Sequence, residues 1–139
     1  SQSQAGNHSM NFLIDHNIEG YAILLLGTIT AGGWLEIVPI EFVMFEQVGL
    51  AVNASDRVVW NFAQTNQMIL LTANRSMKGI DSLEQTIQED NTENSLPVIT
   101  IGNTDRMTNF EYRERCSIRL VEILLDLDNY MGAGRLFIP

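Results

Sequence analysis

Asp15 closes an apolar run, Asn11-Phe12-Leu13-Ile14, and is followed at once by His16 and Asn17. A carboxylate adds nothing to a core strand, because burying it is costly unless it is paired or bound to a cation. In an open α/β sheet the carboxyl ends of the strands border the ligand crevice, so an aspartate there points into a site. Three more polar stretches end apolar runs or open helices. They are Ser55-Asp56-Arg57, Thr72-Ala73-Asn74-Arg75-Ser76 and Gly102-Asn103-Thr104-Asp105-Arg106. Carboxylates gathered from such segments repel one another unless a cation lies between them. Mg²⁺ takes oxygen ligands at about 2.0–2.1 Å, from one or two carboxylates together with water and phosphate. Paired metals about 3.5–4 Å apart activate water and stabilise an in-line phosphoryl displacement.

Each of these residues also has a plain structural reading. Asp15 can cap the helix that follows it. Asp56 sits where the positive end of a helix dipole favours an acidic side chain. Asn74 suits a turn with a left-handed backbone. Arg75 and Arg106 can grip phosphate with bidentate contacts, or pair with nearby carboxylates. His16 is either an acid/base group or a solvated loop residue, and Cys116 reads as core.

The elements that must position these residues alternate along the chain. Asn11–Asp15 reads as a buried strand. A helix follows through Tyr21–Leu26, with Asn17 or Glu19 near its start, and Gly32-Gly33 ends it. Leu35–Phe45, rich in β-branched and aromatic residues, reads as a second strand, with Pro39 marking an edge or a bulge. Ser55 caps a helix from Asp56 to about Asn66, with Val58, Val59, Phe62 and Ala63 on one face. Met68–Leu71 is purely apolar and reads as a central parallel strand. A short helix over Asp81–Gln88 precedes a polar loop from Glu89 to Ser95, and Leu96–Ile101 gives a fourth strand. Thr108 and Glu111 form a capping-box pair opening the longest helix, to about Leu127, with Leu120, Ile123, Leu124 and Leu127 as its core stripe. Leu136–Ile138 closes the order as a short strand. The pattern predicts a three-layer α/β/α domain on a mostly parallel sheet of four to five strands.

Composition narrows the function classes. The chain has 139 residues, 45% of them hydrophobic, which suits one domain with one core over residues 10–139. Ser1–Ser9 is polar and aperiodic and reads as an expression-tag remnant. The one cysteine allows no intrachain disulfide, which fits a reducing, cytoplasmic location. No apolar run approaches the roughly 20 residues needed to span a bilayer. The net charge of −9 argues against broad, nonspecific binding to nucleic acid, although seven arginines and one lysine leave room for local recognition. A Gly-x-Ser-x-Gly elbow, a Walker A loop, a G-x-G-x-x-G turn and a zinc-type cysteine pair are all missing. The Trp34–Leu50 segment holds more large apolar side chains than one small core needs, which points to a homodimer surface.

Phe12-Leu13-Ile14-Asp15-His16-Asn17, the Ser55-Asp56 helix start and Leu70-Leu71-Thr72-Ala73-Asn74 resemble a family of small stand-alone bacterial PIN-like proteins, over nearly the whole chain from Met10. The resemblance implies an α/β nuclease fold that holds Mg²⁺ or Mn²⁺ with acidic residues. It further implies ribonuclease activity, in many such proteins as the toxin half of a toxin–antitoxin pair, with RNA and an antitoxin protein as partners. On that resemblance Asp15 is the first acidic ligand and Asp56 the second. Asn74 with Asp105 or Asp81 would complete the shell, and Arg75, Arg106, Asn17, Asn103 and Thr104 would meet the substrate. Two positions depart from the family pattern: Asn74 stands where an aspartate is common, and Ser76 replaces a second acidic residue. Two rival readings therefore stay open. One is a catalytically degenerate binding domain; the other is a small-molecule phosphoesterase using the same acidic site.

Overall fold

The computed structural model describes residues 9–75, 79 and 81–139, so most of the segment read as a tag remnant, and Ser76, lie outside the described residues. The elements run β1 (Met10–Ile14), α1 (Glu19–Ala31), β2 (Ile40–Met44), α2 (Phe45–Val48), α3 (Asp56–Thr65) and β3 (Ile69–Thr72). They continue α4 (Leu83–Asp90), β4 (Val98–Ile101), α5 (Phe110–Leu125) and β5 (Arg135–Ile138). The five strands form one sheet in the order β2-β1-β3-β4-β5, and every neighbouring pair is parallel.

The layers follow from the two-residue period of a strand. Phe12 and Ile14, Ile69 and Leu71, and Ile99 and Ile101 point to one side. There they pack with Ala22, Leu25 and Ile29 of α1 and with Cys116, Leu120 and Ile123 of α5. Leu13, Leu70 and Val98 point to the other side, against Val59, Trp60 and Ala63 of α3 and Leu83 and Ile87 of α4. β3 and β4 are buried along their whole length, as a parallel sheet covered on both faces requires. The result is the three-layer α/β/α arrangement the sequence predicts, with a sheet that is wholly parallel.

Four local expectations change. Only Ile40–Met44 of the Leu35–Phe45 run is a strand, and Trp34–Glu36 is a 3₁₀ turn. Pro39 marks the break: it has no N–H to give, and its carbonyl accepts from Met10 N at 2.9 Å as the pairing begins. β2 lies at the sheet edge, where proline is tolerated. Within α3, Val58 is 52% exposed and Trp60 joins Val59 and Ala63 in the core instead. Ser55 caps this helix as expected, its Oγ accepting from Val58 N at 3.2 Å.

The short helix starts at Leu83 with Ser82 as its cap, and Asp81 falls outside it. The longest helix is capped by Asn109, whose Oδ1 accepts from Tyr112 N at 2.8 Å, and not by Thr108. The apolar excess in Trp34–Leu50 has an intramolecular use. Trp34, Leu35, Val38, Phe42 and Met44 cover one core, Val43, Val48 and Leu50 the other, and Ile37 is the strongly exposed large apolar side chain of the stretch.

The core also fixes an alkaline limit on stability. Cys116 is fully buried, and burial pushes its thiol from 9.0 up to about 12. Burial raises the neighbouring Tyr112 phenol as well. Both folded-state values lie above the ordinary ones, so the native state holds these protons more tightly than the unfolded chain. The stabilisation is complete below about pH 9 and is lost as pH climbs towards 12. For the thiol alone this amounts to about 4 kcal/mol. Urea midpoints should therefore fall steeply between pH 9 and 11, and Cys116→Ala, although less stable at pH 7, should lose most of that slope. An equal slope in the variant would refute the assignment.

Candidate functional site

In this strand order β1 and β3 are adjacent while their crossover helices leave to opposite faces. That is the switch point at which doubly wound sheets open a crevice. Asp15 follows β1 directly, and its backbone N–H still bonds to Leu71 O at 2.9 Å, which fixes it beside β3. Asp56 reaches the same place from the first turn of α3. Both carboxylates line one cleft of about 60 Å³, with Thr72 and Asn74 between them and Phe45 and Val52 on the apolar side. A water fills roughly 10–15 Å³ on this measure, so the cleft has room for a few waters or for a small cation with part of its hydration.

The hydrogen bonds tie the two acids into one chain. Thr72 Oγ1 donates to Asp15 Oδ2 at 2.6 Å and accepts from Asn74 N at 2.9 Å. Asp15 Oδ1 accepts from Asn17 N at 3.2 Å, closing the turn after β1. Asn74 Nδ2 donates to Asp56 Oδ2 at 2.9 Å, and Leu83 N, in the first turn of α4, donates to the same oxygen at 3.0 Å. Asp56 is thus held between the amino ends of α3 and α4, where both helix dipoles favour negative charge. Asn74 touches both halves, through its backbone towards Asp15 and through its side chain towards Asp56.

The cleft continues along the carboxyl edge of the sheet. An adjoining hollow of about 420 Å³ shares Asp15, Asn17 and Asn74 and extends to Tyr21 and Thr104. Beyond it, a hollow of about 280 Å³ is lined by Ala73, Arg75, Asn103, Thr104 and Asp105. Of the residues singled out in the sequence, Asp15, Asn17, Asp56 and Asn74 come together around the acidic cleft, while Arg75, Asn103, Thr104 and Asp105 lie further along the same groove.

Three others are engaged elsewhere. Asp81 meets Arg57 Nε at 3.0 Å, and the same guanidinium binds Glu89 at 2.6 Å and Asp90 at 2.7 Å, clamping α3 to α4. Hydrogen bonds from Gln85 first, and then from Arg57, hold Glu89 below the usual carboxylate range. Asp81 is thus paired with Arg57 and is not among the residues that line the cleft. The Arg106 guanidinium carbon sits over the Tyr112 ring, 4.7 Å from its centroid, against α5. His16 Nδ1 faces Glu19 Oε2 at 3.3 Å.

Among the described residues no group of three or more histidine, cysteine, aspartate or glutamate side chains is placed to hold a metal ion. The cleft's own donor set is all oxygen: two carboxylates with nearby hydroxyl and amide groups. That set fits one hard divalent cation that keeps most of its water, and not the two-metal arrangement weighed from the sequence. Arg135, Glu84 and the role of Thr72 escaped the sequence reading. Their one signal was a charged residue opening an otherwise apolar strand. Among the described residues no helix is long and apolar enough to cross a membrane. Compared with known proteins, the chain matches no family model, no curated protein and no solved structure. Fold and site together define a doubly wound α/β protein with an acidic cleft at its switch point.

Proposed function

We propose that this is a PIN-like, divalent-cation-dependent phosphodiesterase of the ribonuclease type, working at the Asp15–Asp56 cleft. The observation that carries the reading is that two carboxylates from separate elements line one small polar cleft at the β1/β3 switch point. Bound Mg²⁺ or Mn²⁺ would supply Lewis-acid polarisation of phosphate and a water of lowered pKa. Asp15 and Asp56 would hold the cation by charge. Thr72 orients the first carboxylate through its hydroxyl, and Asn74 orients the second through its amide. Arg75, Asn103 and Thr104 offer donors along the groove to a ribose-phosphate chain.

A second reading has its own observation. Asp56 Oδ2 already accepts two hydrogen bonds, so this carboxylate is partly compensated without a cation, as in a binding domain that has lost catalysis. One experiment separates the readings. The protein is incubated with a varied RNA panel, and separately with free nucleotides, in Mn²⁺ or in chelator, and Mn²⁺ binding is followed by calorimetry. Mn²⁺-dependent cleavage is the expected result. Intact RNA with hydrolysed nucleotides selects a small-molecule phosphoesterase, and intact RNA with no heat of Mn²⁺ binding leaves the binding domain.

A further inference from the structure

We propose that Arg135 is the positioning residue of the acidic cleft: it fixes the main chain of Asn74 from the α4 side of the sheet and, through Asn74, sets both carboxylates. This rests on the function proposed above.

Arg135 opens β5, the edge strand farthest from β2, and its side chain is 10% exposed. Its Nη1 donates to Asn74 O at 2.7 Å and to Thr100 Oγ1 at 2.8 Å. Nε and Nη2 reach Glu84 Oε1 at 3.3 and 3.0 Å. One guanidinium thereby links the exit of β3, the middle of β4 and the first turn of α4.

The surroundings make an ion pair unexpected here. The same layer is built from Leu70, Leu83, Ile87 and Val98, all buried and apolar. The pair is partly buried, with Arg135 10% and Glu84 30% exposed, a setting in which charge pairing alone adds little to stability. What the guanidinium adds is geometry. Glu84 neutralises the charge, and the remaining donors are spent on a hydroxyl and on the Asn74 carbonyl. The fixed fork of arginine serves the three partners from three separate nitrogens, whereas an ammonium radiates its three donors from one atom and does not span the same spread.

Asn74 is where that geometry is read out. Its carbonyl is held by Arg135, its N–H by Thr72 and its side-chain amide by Asp56. The carbonyl belongs to the peptide that leads on to Arg75, so releasing it frees the chain on the far side of Asn74. The residue can then shift as a whole, carrying with it the N–H that bonds to Thr72 and the amide that orients Asp56. The cleft then loses the mutual alignment of its two acids while the core stays intact.

The test compares the intact chain with Arg135→Lys, Arg135→Met and, as a packing control in the same layer, Ile87→Ala. The side-chain amide of Asn74 is followed by NMR, and Mn²⁺ affinity is measured by calorimetry. In Arg135→Lys the charge stays beside Glu84, melting changes by a few degrees at most, and the Asn74 amide should lose its exchange protection about tenfold. Mn²⁺ affinity should fall by a similar factor. Ile87→Ala should melt lower yet keep the Asn74 signal. An Asn74 amide unchanged in Arg135→Lys overturns the proposal, as does a change of equal size in Ile87→Ala. If the unaltered chain takes up no Mn²⁺, the proposed function fails, and the Asn74 signal still decides the role of Arg135. Should Arg135→Met not fold, the lysine variant carries the decision.

Discussion

Asp15→Asn should abolish Mn²⁺-dependent RNA cleavage while leaving a folded protein. The substitution keeps volume and shape and changes only the charge and one donor. Asp15 now accepts at both oxygens, from Thr72 Oγ1 and from Asn17 N. An amide at this position can accept one of these bonds and donate the other way to the threonine hydroxyl, which rotates freely. The structural cost should therefore be about 1 kcal/mol, the usual worth of one exchanged hydrogen bond. The cost to cation binding is of another order, because one of the two charges that would hold the ion is gone. Outer partners of metal ligands typically cost about 10- to 100-fold when removed, so the loss of a direct ligand should exceed that. Cleavage assays and calorimetry at matched protein concentration check it, with melting curves as the control. A variant that cuts RNA as fast as the parent would end the metal reading of this cleft.

The second large effect is expected at Asn74. Asn74→Asp replaces a donor with an acceptor 2.9 Å from Asp56 Oδ2. An attractive contact becomes a repulsive one. At an effective dielectric of about 20, two unit charges 4 Å apart repel by about 4 kcal/mol, an upper bound because one carboxyl can take a proton instead. Like-charge proximity raises a folded carboxyl pKa above its unfolded value. The destabilisation should accordingly be absent at low pH and appear as pH rises through that raised value. In chelator at pH 7 the variant should melt well below the parent, and it should regain stability both on acidification and on adding Mn²⁺. A melting temperature in chelator equal to the parent's would mean that the two side chains do not meet as described.

Much of the fold was legible because its signals are local. The short apolar run Phe12-Leu13-Ile14 marked β1 as a buried strand, and the unbroken apolar run ending at Leu71 marked the centre of a parallel sheet. Ser55 announced its helix by capping chemistry alone. The misreadings came where a local rule met a stronger competitor. Leu35–Phe45 has the composition of a long strand, but Pro39 divides it and Trp34 is drawn into a turn. Thr108 and Glu111 have the spacing of a capping box, yet Asn109 is the better-placed acceptor for Tyr112 N. Asp81 seemed a helix start or a ligand until Arg57 claimed it.

The candidate site divides the same way. Asp15, Asp56 and Asn74 could be singled out because polar residues at strand and helix ends stand out against apolar runs. Their support could not, since Arg135 meets Asn74 and Glu84 across long stretches of chain and nothing in the spacing of its neighbours signals the contacts.

That long reach has a consequence for the order of events during synthesis. β5 follows every other strand and helix, so a ribosome exposes Asp15, Asp56 and Asn74 well before it exposes Arg135. On the proposal made for Arg135, a growing polypeptide carries both acids while still lacking the group that aligns them. On both proposals the cleft would stay unaligned, and unable to act on RNA, until β5 has been made and has docked beside β4.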